Sequence, residues 1–204
     1  MLTRRPLLPL VLVLAAILPA LAHAATPAAT PATAPATAPD STAAEPTVEE
    51  TTLTAVGQAA PAFTVTTLAG APFALEQQRG KVVLVNWFAT WCPPCRAEMP
   101  ALKSRVWERF AADPRFVMIS VSRAEDAAKV RAFVAERELP WTFGLDTERK
   151  AYALYADAYI PRNYVIGPDG HIVFQSADFK EEEFGALVEA IAGALSRAGA
   201  GADR

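Results

Sequence analysis

From residue 56 onward the chain alternates between two hydrophobic rhythms. Phe63-Thr-Val-Thr-Thr-Leu68 predicts a strand, ended by Ala69-Gly70. Lys81-Val-Val-Leu-Val-Asn-Trp-Phe88 is nearly continuous apolar, the pattern of a central strand buried on both faces. A helix should follow from about Pro93 to Ala111, then a second apolar strand over Phe116–Val121. Asp126–Glu138 shows helical spacing at Ala127, Val130, Phe133 and Val134, and the aliphatic stem of Arg137 shares that face. Trp141–Leu145 predicts a short strand and Glu148–Tyr155 a short helix. Tyr164–Ile166 and Ile172–Phe174 flank Pro168-Asp169-Gly170, a hairpin signal. Glu181–Arg197 closes the pattern as an amphipathic helix with Phe184, Leu187, Val188, Ile191 and Leu195 on one face. A βαβ half followed by a hairpin and a helix predicts an α/β domain, a sheet with helices on both faces.

Upstream, that rhythm is missing. Residues 1–24 carry Arg4-Arg5, an apolar run from Leu7 to Ala22 and an Ala22-His23-Ala24 site, the layout of a secretory signal peptide. The run is short for a membrane span, which needs about 20 apolar residues, so an uncleaved anchor is the alternative. No cysteine follows the run to carry a lipid. From Ala25 to Pro39 only Ala, Thr and Pro occur. Such a composition buries no core and favours extended polyproline II, so residues 25–55 are read as a linker. The domain is then 56–198, and 199–204 a flexible tail.

Composition narrows the function. The 204 residues are 52% hydrophobic and 20% charged, with a formal charge of −3. Removing 1–24 takes away two arginines and no acid, leaving −5. With no basic excess to neutralise phosphates, nucleic acid is not an expected partner. Export places the mature chain in an oxidising compartment such as the periplasm, where cysteine pairs form disulfides. Two cysteines are present, in Cys92-Pro93-Pro94-Cys95, after a buried strand and at the start of a helix. Free backbone N–H groups and the positive helix end stabilise a thiolate there. Cys92, nearer the helix end, is the expected nucleophile, and Cys95, one turn further in, the resolving thiol. The prolines restrict the backbone between them.

Other readings fit less well. A structural disulfide closing so short a loop contributes only about 2 kcal/mol. A zinc site needs four ligands, and the mature chain adds only His171 to the two cysteines. A Cu(I)-binding module remains the non-catalytic alternative, because soft Cu(I) accepts two thiolates.

Trp91-Cys-Pro-Pro-Cys95 after Val85-Asn-Trp-Phe-Ala-Thr90 resembles the thioredoxin superfamily, in its exported TlpA/ResA-like branch that includes the DsbE (CcmG) reductases of cytochrome c maturation. Gly80-Lys81, Glu98-Met-Pro100, Tyr159-Ile-Pro161 and Gly167-Pro-Asp-Gly170 carry the resemblance further. It implies a thioredoxin-like fold: a central mixed sheet flanked by helices, with an N-terminal strand extension. It also implies that Cys92 and Cys95 attack and resolve, with no cofactor beyond their disulfide. Pro161 matches the family's cis-proline, which lies against the disulfide and presents backbone to an extended substrate. Trp91, Pro93, Pro94, Ile160, Pro161 and Arg162 are therefore the expected substrate-binding residues. Pro100 matches a proline that kinks the active-site helix. Glu98 matches an acid of the branch that moves a proton or disfavours a thiolate one turn from Cys95. Asn86 stands where cytoplasmic thioredoxins carry a buried aspartate.

Three positions depart from the family pattern. Trp87-Phe88 reverses the usual order, Gly167 replaces a common aspartate, and Arg162-Asn163 follows Pro161 where small or hydroxylated residues are usual. An arginine beside the platform would favour acidic peptides, unless it simply points into solvent. The expected protein is a monomeric exported thiol–disulfide oxidoreductase that reduces partner proteins, of the apocytochrome c or copper-site type. Its electrons would come from a membrane thiol reductase resembling DsbD or CcdA. The rival within the class is an oxidase resembling DsbA, for whose extra helical domain Asp113–Tyr159 is too short. Thr90-Trp91-Cys92 also lacks the Thr-x-x-Cys spacing of peroxiredoxins.

Overall fold

The computed structural model describes residues 45–202, so the leader and the Ala/Thr/Pro stretch lie outside the described residues. Seven strands form one mixed sheet: β1 (Thr64–Thr67), β2 (Pro72–Ala74), β3 (Val82–Phe88), β4 (Phe116–Arg123), β5 (Thr142–Asp146), β6 (Arg162–Ile166) and β7 (Ile172–Ala177), in the order β2-β1-β5-β4-β3-β6-β7. The central trio β3, β4 and β5 is parallel, and the pairs toward both edges are antiparallel. Every residue of β3 is buried, as its continuous apolar run predicts. β1 approaches β5 closely because position 144 is glycine: a Cβ there would lie 2.7 Å from Val65 Cγ2.

Two apolar clusters close the two faces. On one, α1 (Pro93–Ala101), α2 (Glu108–Phe110), α3 (Ala127–Glu136) and α4 (Glu181–Ala202) pack their buried residues with Leu84, Phe88, Met118 and Phe143. The other, where helices were also expected, is closed instead by two short 3₁₀ turns, Leu75–Gln78 and Tyr152–Leu154, and by the tilted, edge-on rings of Phe63, Trp87, Tyr155 and Tyr164. The reversed Trp87-Phe88 order sends the indole to this second face and Phe88 toward the helices, against Phe133 and Phe143. Arg137 lays its guanidinium over Phe133, 4.2 Å from the ring centre, as the shared helical face implied.

The first helix runs continuously from Pro93 to Phe110. Pro100 has no N–H to give the preceding turn, and the helix widens to a π-helical stretch over Leu102–Trp107 between α1 and α2. The hairpin turns at Gly170, whose φ of +82° suits glycine.

Three boundaries differ from the expectation. β2 and the turn after it lack a period long enough to read. Helix α4 runs through 199–202, where a flexible tail was expected; the alanines at 198, 200 and 202 favour helix around the two glycines. Residues 47–55, read as linker, are packed on the domain: Thr51 and Thr54 are buried, Thr52 bridges to Ala156, and the Leu53 N–H donates to the Tyr155 carbonyl. Their polar composition hid this, since the segment is held by hydrogen bonds rather than by an apolar face.

Candidate active site

Strand β3 ends at Phe88, and the chain turns through Ala89–Trp91 into α1. Cys92 is the residue that caps the helix: its backbone is extended (φ −80°, ψ 115°) and its Sγ accepts the Cys95 N–H at 3.3 Å. Pro93 and Pro94 fill the first helical positions, where no N–H is required. The sulfur therefore sits on the positive end of the helix, the placement that stabilises a thiolate. Cys92 and Cys95 form a disulfide with their Cα atoms 5.3 Å apart. Both are buried in this state, Cys92 at 3% exposure and Cys95 at none. Beside them Trp91 is 61% exposed, Pro93 is exposed and Pro94 half-buried, which leaves an apolar surface next to the Cys92 sulfur.

The loop before β6 lies against that sulfur. The Ile160–Pro161 peptide is cis, and Cys92 Sγ is 3.5 Å from the Ile160 carbonyl oxygen. In the disulfide this is a contact; after reduction the Cys92 thiol is placed to donate to that oxygen. Ile160 is half-buried and Pro161 buried, and the Pro161 carbonyl accepts the Asp178 N–H at 2.8 Å.

Beneath the dithiol, Glu98 is fully buried one turn beyond Cys95. Its Oε2 accepts from Asn86 Nδ2 at 2.9 Å and its Oε1 from Asn163 Nδ2 at 2.6 Å. The strand register makes this possible, since Asn86 on β3 pairs with Asn163 on β6 and with Ser120 on β4. Asn86 also donates to Asn163 Oδ1 and accepts from Ser120 Oγ, which in turn accepts from Trp141 Nε1. Donation thus runs from the indole toward the carboxyl, and no cation faces Glu98 in this network. Burial pushes the Glu98 carboxyl up to about 7, against the pull of the two amide donors.

A second buried carboxyl holds the other end of the active-site loop. Glu125 accepts from the Thr90 N–H at 2.8 Å, from the Thr90 hydroxyl and from Ser122 Oγ at 2.8 Å. Thr90 lies two residues before Cys92, so Glu125 sets the path of the chain into the helix. No motif in the sequence pointed to it.

The AhpC/TSA family model matches residues 56–175, more than half of the chain, with the CPPC site inside the match. The chain belongs to the AhpC/TSA family. Within it, this is a thioredoxin-like thiol–disulfide oxidoreductase of TlpA/ResA-like type. It is 37% identical over 118 residues to the thioredoxin-like protein YneN of Bacillus subtilis, covering 57% of this chain and 68% of that one. It is 30% identical over 118 residues to the thiol-disulfide oxidoreductase ResA of Bacillus cereus, covering 58% and 67%. The solution structure of a candidate protein disulfide isomerase from Bacteroides thetaiotaomicron superposes with a TM-score of 0.69 at 36% identity, over 72% of this chain and 93% of that one.

In this oxidoreductase the structure gathers Trp91, Cys92, Pro93, Pro94, Cys95, Ile160 and Pro161 at one edge, with Glu98 below them. Arg162 is the exception. It was expected either to bind acidic peptides or to point into solvent, and it does neither. At 2% exposure it faces the second, aromatic side of the sheet, because successive residues of a strand point to opposite faces and Asn163 already faces Glu98. His171 is 47% exposed and pairs with Asp169 at 3.2 Å. Among the described residues no three His, Cys, Asp or Glu side chains converge, and no helix is long and apolar enough to cross a membrane.

Proposed function

We propose that this oxidoreductase is an exported reductase of partner-protein disulfides, of the kind needed to keep apocytochrome c or copper-site thiols reduced. The observation that carries the reading is the Cys92–Cys95 disulfide at a helix N-terminus, with Cys92 Sγ against the Ile160 carbonyl. The leader-like residues 1–24 and the similarity to the thiol-disulfide oxidoreductase ResA support it. In the reduced protein, the Cys92 thiolate attacks one sulfur of the partner's disulfide. A Cys92–partner bond forms, and the partner's other sulfur leaves as a thiolate that takes up a proton. Cys95 then loses its proton and attacks the Cys92 sulfur, which closes the Cys92–Cys95 disulfide and frees the partner's second thiol. Two electrons have passed to the partner. Glu98, titrating near neutrality one turn away, is the group proposed to take the Cys95 proton. Trp91, Pro93, Pro94, Ile160 and Pro161 are the surface on which an extended partner segment would lie. A membrane thiol reductase resembling DsbD or CcdA is proposed to return the electrons.

The test is the equilibrium potential of the Cys92–Cys95 pair. A value near thioredoxin's roughly −270 mV supports a reductase with a dedicated donor. A value near about −120 mV makes the protein a disulfide donor instead and overturns the direction proposed.

A further inference from the structure

The Arg162 guanidinium, turned away from the dithiol side, is engaged by all three of its nitrogens. Arg162 Nε donates to the carbonyls of Ala158 at 3.0 Å and Tyr159 at 3.2 Å. Its Nη1 donates to Thr52 Oγ1 at 2.7 Å, and its Nη2 to Thr51 Oγ1 at 3.0 Å and the Val48 carbonyl at 3.4 Å. One planar fork therefore grips two stretches more than 100 residues apart: the residues just before Ile160-Pro161, and the turn that leads into the domain. A lysine, with a single point of donation, would not match this arrangement.

Both stretches have reason to be gripped. Tyr159 has φ +64°, a left-handed conformation that is unfavourable for a non-glycine residue and persists only where its surroundings hold it. Its carbonyl and that of Ala158 also receive the Tyr152 hydroxyl, each at 2.6 Å. The N-terminal turn is a built unit rather than a loose end. The Thr47 N–H donates to Glu50 Oε2 at 2.7 Å and the Glu50 N–H to Thr47 Oγ1 at 3.2 Å, a reciprocal cap. The Asp157 N–H donates to the Thr51 carbonyl at 2.9 Å, and the Tyr159 hydroxyl donates to the Pro46 carbonyl.

We infer that Arg162 is a positioning residue that ties the N-terminal turn 47–52 to the loop 158–160, making the segment ahead of the family domain a working part of the substrate platform. The residue that follows Pro161 then acts on partner binding through the backbone that faces the partner, and leaves the dithiol chemistry alone. This rests on the proposed reading that Ile160-Pro161 receives the partner chain.

The experiment uses the full chain, wild type against Arg162→Met and against the double variant Thr51→Val/Thr52→Val, which keeps the guanidinium and removes its N-terminal hydroxyl partners. The probes are a short peptide closed by a Cys-x-x-Cys disulfide, which needs the platform, and dithiobis(nitrobenzoate), a small disulfide that does not. Hydrogen exchange of the 156–160 segment is followed in the oxidised proteins. We expect KM for the peptide to rise about tenfold in Arg162→Met and about threefold in the double variant, with kcat and the small-disulfide rate within about twofold. Exchange of 156–160 should accelerate in both while β3 is unchanged. Unchanged loop exchange in the double variant overturns the tie, as does faster exchange with an unchanged KM, or a loss of the small-disulfide rate equal to the loss with peptide. If Arg162→Met does not fold, the double variant decides alone. If wild type never turns over the peptide, the platform reading has failed separately, and loop exchange by itself then upholds or overturns the tie.

Discussion

Asn163 and Arg162 are consecutive, yet they serve opposite sides of the sheet with opposite electrostatics. On the helix side, Asn163 offers an amide donor to a buried acid, Glu98, that has no cation beside it. On the aromatic side, Arg162 is a buried cation surrounded by carbonyl and hydroxyl oxygens, with no carboxylate among its partners. A carboxyl in that position can solve its burial by taking a proton, and its titration is moved toward neutrality. A guanidinium does not use that route, so its neighbours must supply acceptors in number. The first arrangement suits proton traffic beside a dithiol. The second suits holding backbone in place. One strand thus separates chemistry from support at the cost of a single residue step.

The largest expected effect breaks the helix side outright. Cys92→Ser should abolish exchange, a loss of at least about a thousandfold in rate with either probe. Cys95→Ser should instead accumulate a covalent Cys92–partner adduct, visible on a non-reducing gel. If both variants behaved alike, the assignment of attacking and resolving thiols would fail.

Next comes the titration of Glu98. Its folded value of about 7 lies above the ordinary 4.5, so the native state holds this proton more tightly than the unfolded chain does. The stability it contributes is fully present below about 4.5 and is lost as the pH rises through about 7, by about 3 kcal/mol in all. Denaturant unfolding of the oxidised protein at pH 5 and pH 8 should show this slope, and Glu98→Gln should flatten it. Asn163→Ala removes a donor that favours the ionised form, so it should move the slope to higher pH. A wild-type slope that Glu98→Gln leaves in place would assign it to another group.

Glu125→Gln sharpens the same side from its far end. One acceptor oxygen becomes an amide donor facing donors, so stability should fall by about 2 kcal/mol. The rate with both probes should drop a few-fold because the path into Cys92 loosens. Smallest of all is the support side's outer edge. Thr47→Ala removes the reciprocal cap of the N-terminal turn and should lower the thermal midpoint by about 1–2 °C at most, since that turn frays without unfolding the sheet. A large change there would mean the turn belongs to the cooperative core.

Much of this was legible in the residue letters. Val82–Phe88 and Phe116–Val121 announced buried strands because apolar runs of that length have no exposed alternative. Cys92-Pro93-Pro94-Cys95 announced its chemistry because two thiols at a helix start have few other uses. Glu98 could be named as a candidate through the family resemblance, which places an acid one turn from Cys95. Its partner Asn163 could not, although Asn86 and Arg162-Asn163 were visible as unusual positions. Glu125 and the turn at 47–52 went unread, the latter despite the Thr47-x-x-Glu50 cap signal.

What the sequence determined by itself is what depends on neighbours along the chain: strand and helix periods, the capped helix, the proline-restricted dithiol and the hairpin turn. What only the tertiary structure decided depends on register between strands that are distant in sequence. Pairing Asn86 with Asn163 and Trp87 with Arg162 sends one polar side chain toward the dithiol and the other away from it. A shift of one residue would exchange them, because a strand's side chains alternate between faces. Arg162 therefore reads as a surface charge in the sequence and becomes a buried clamp in the fold.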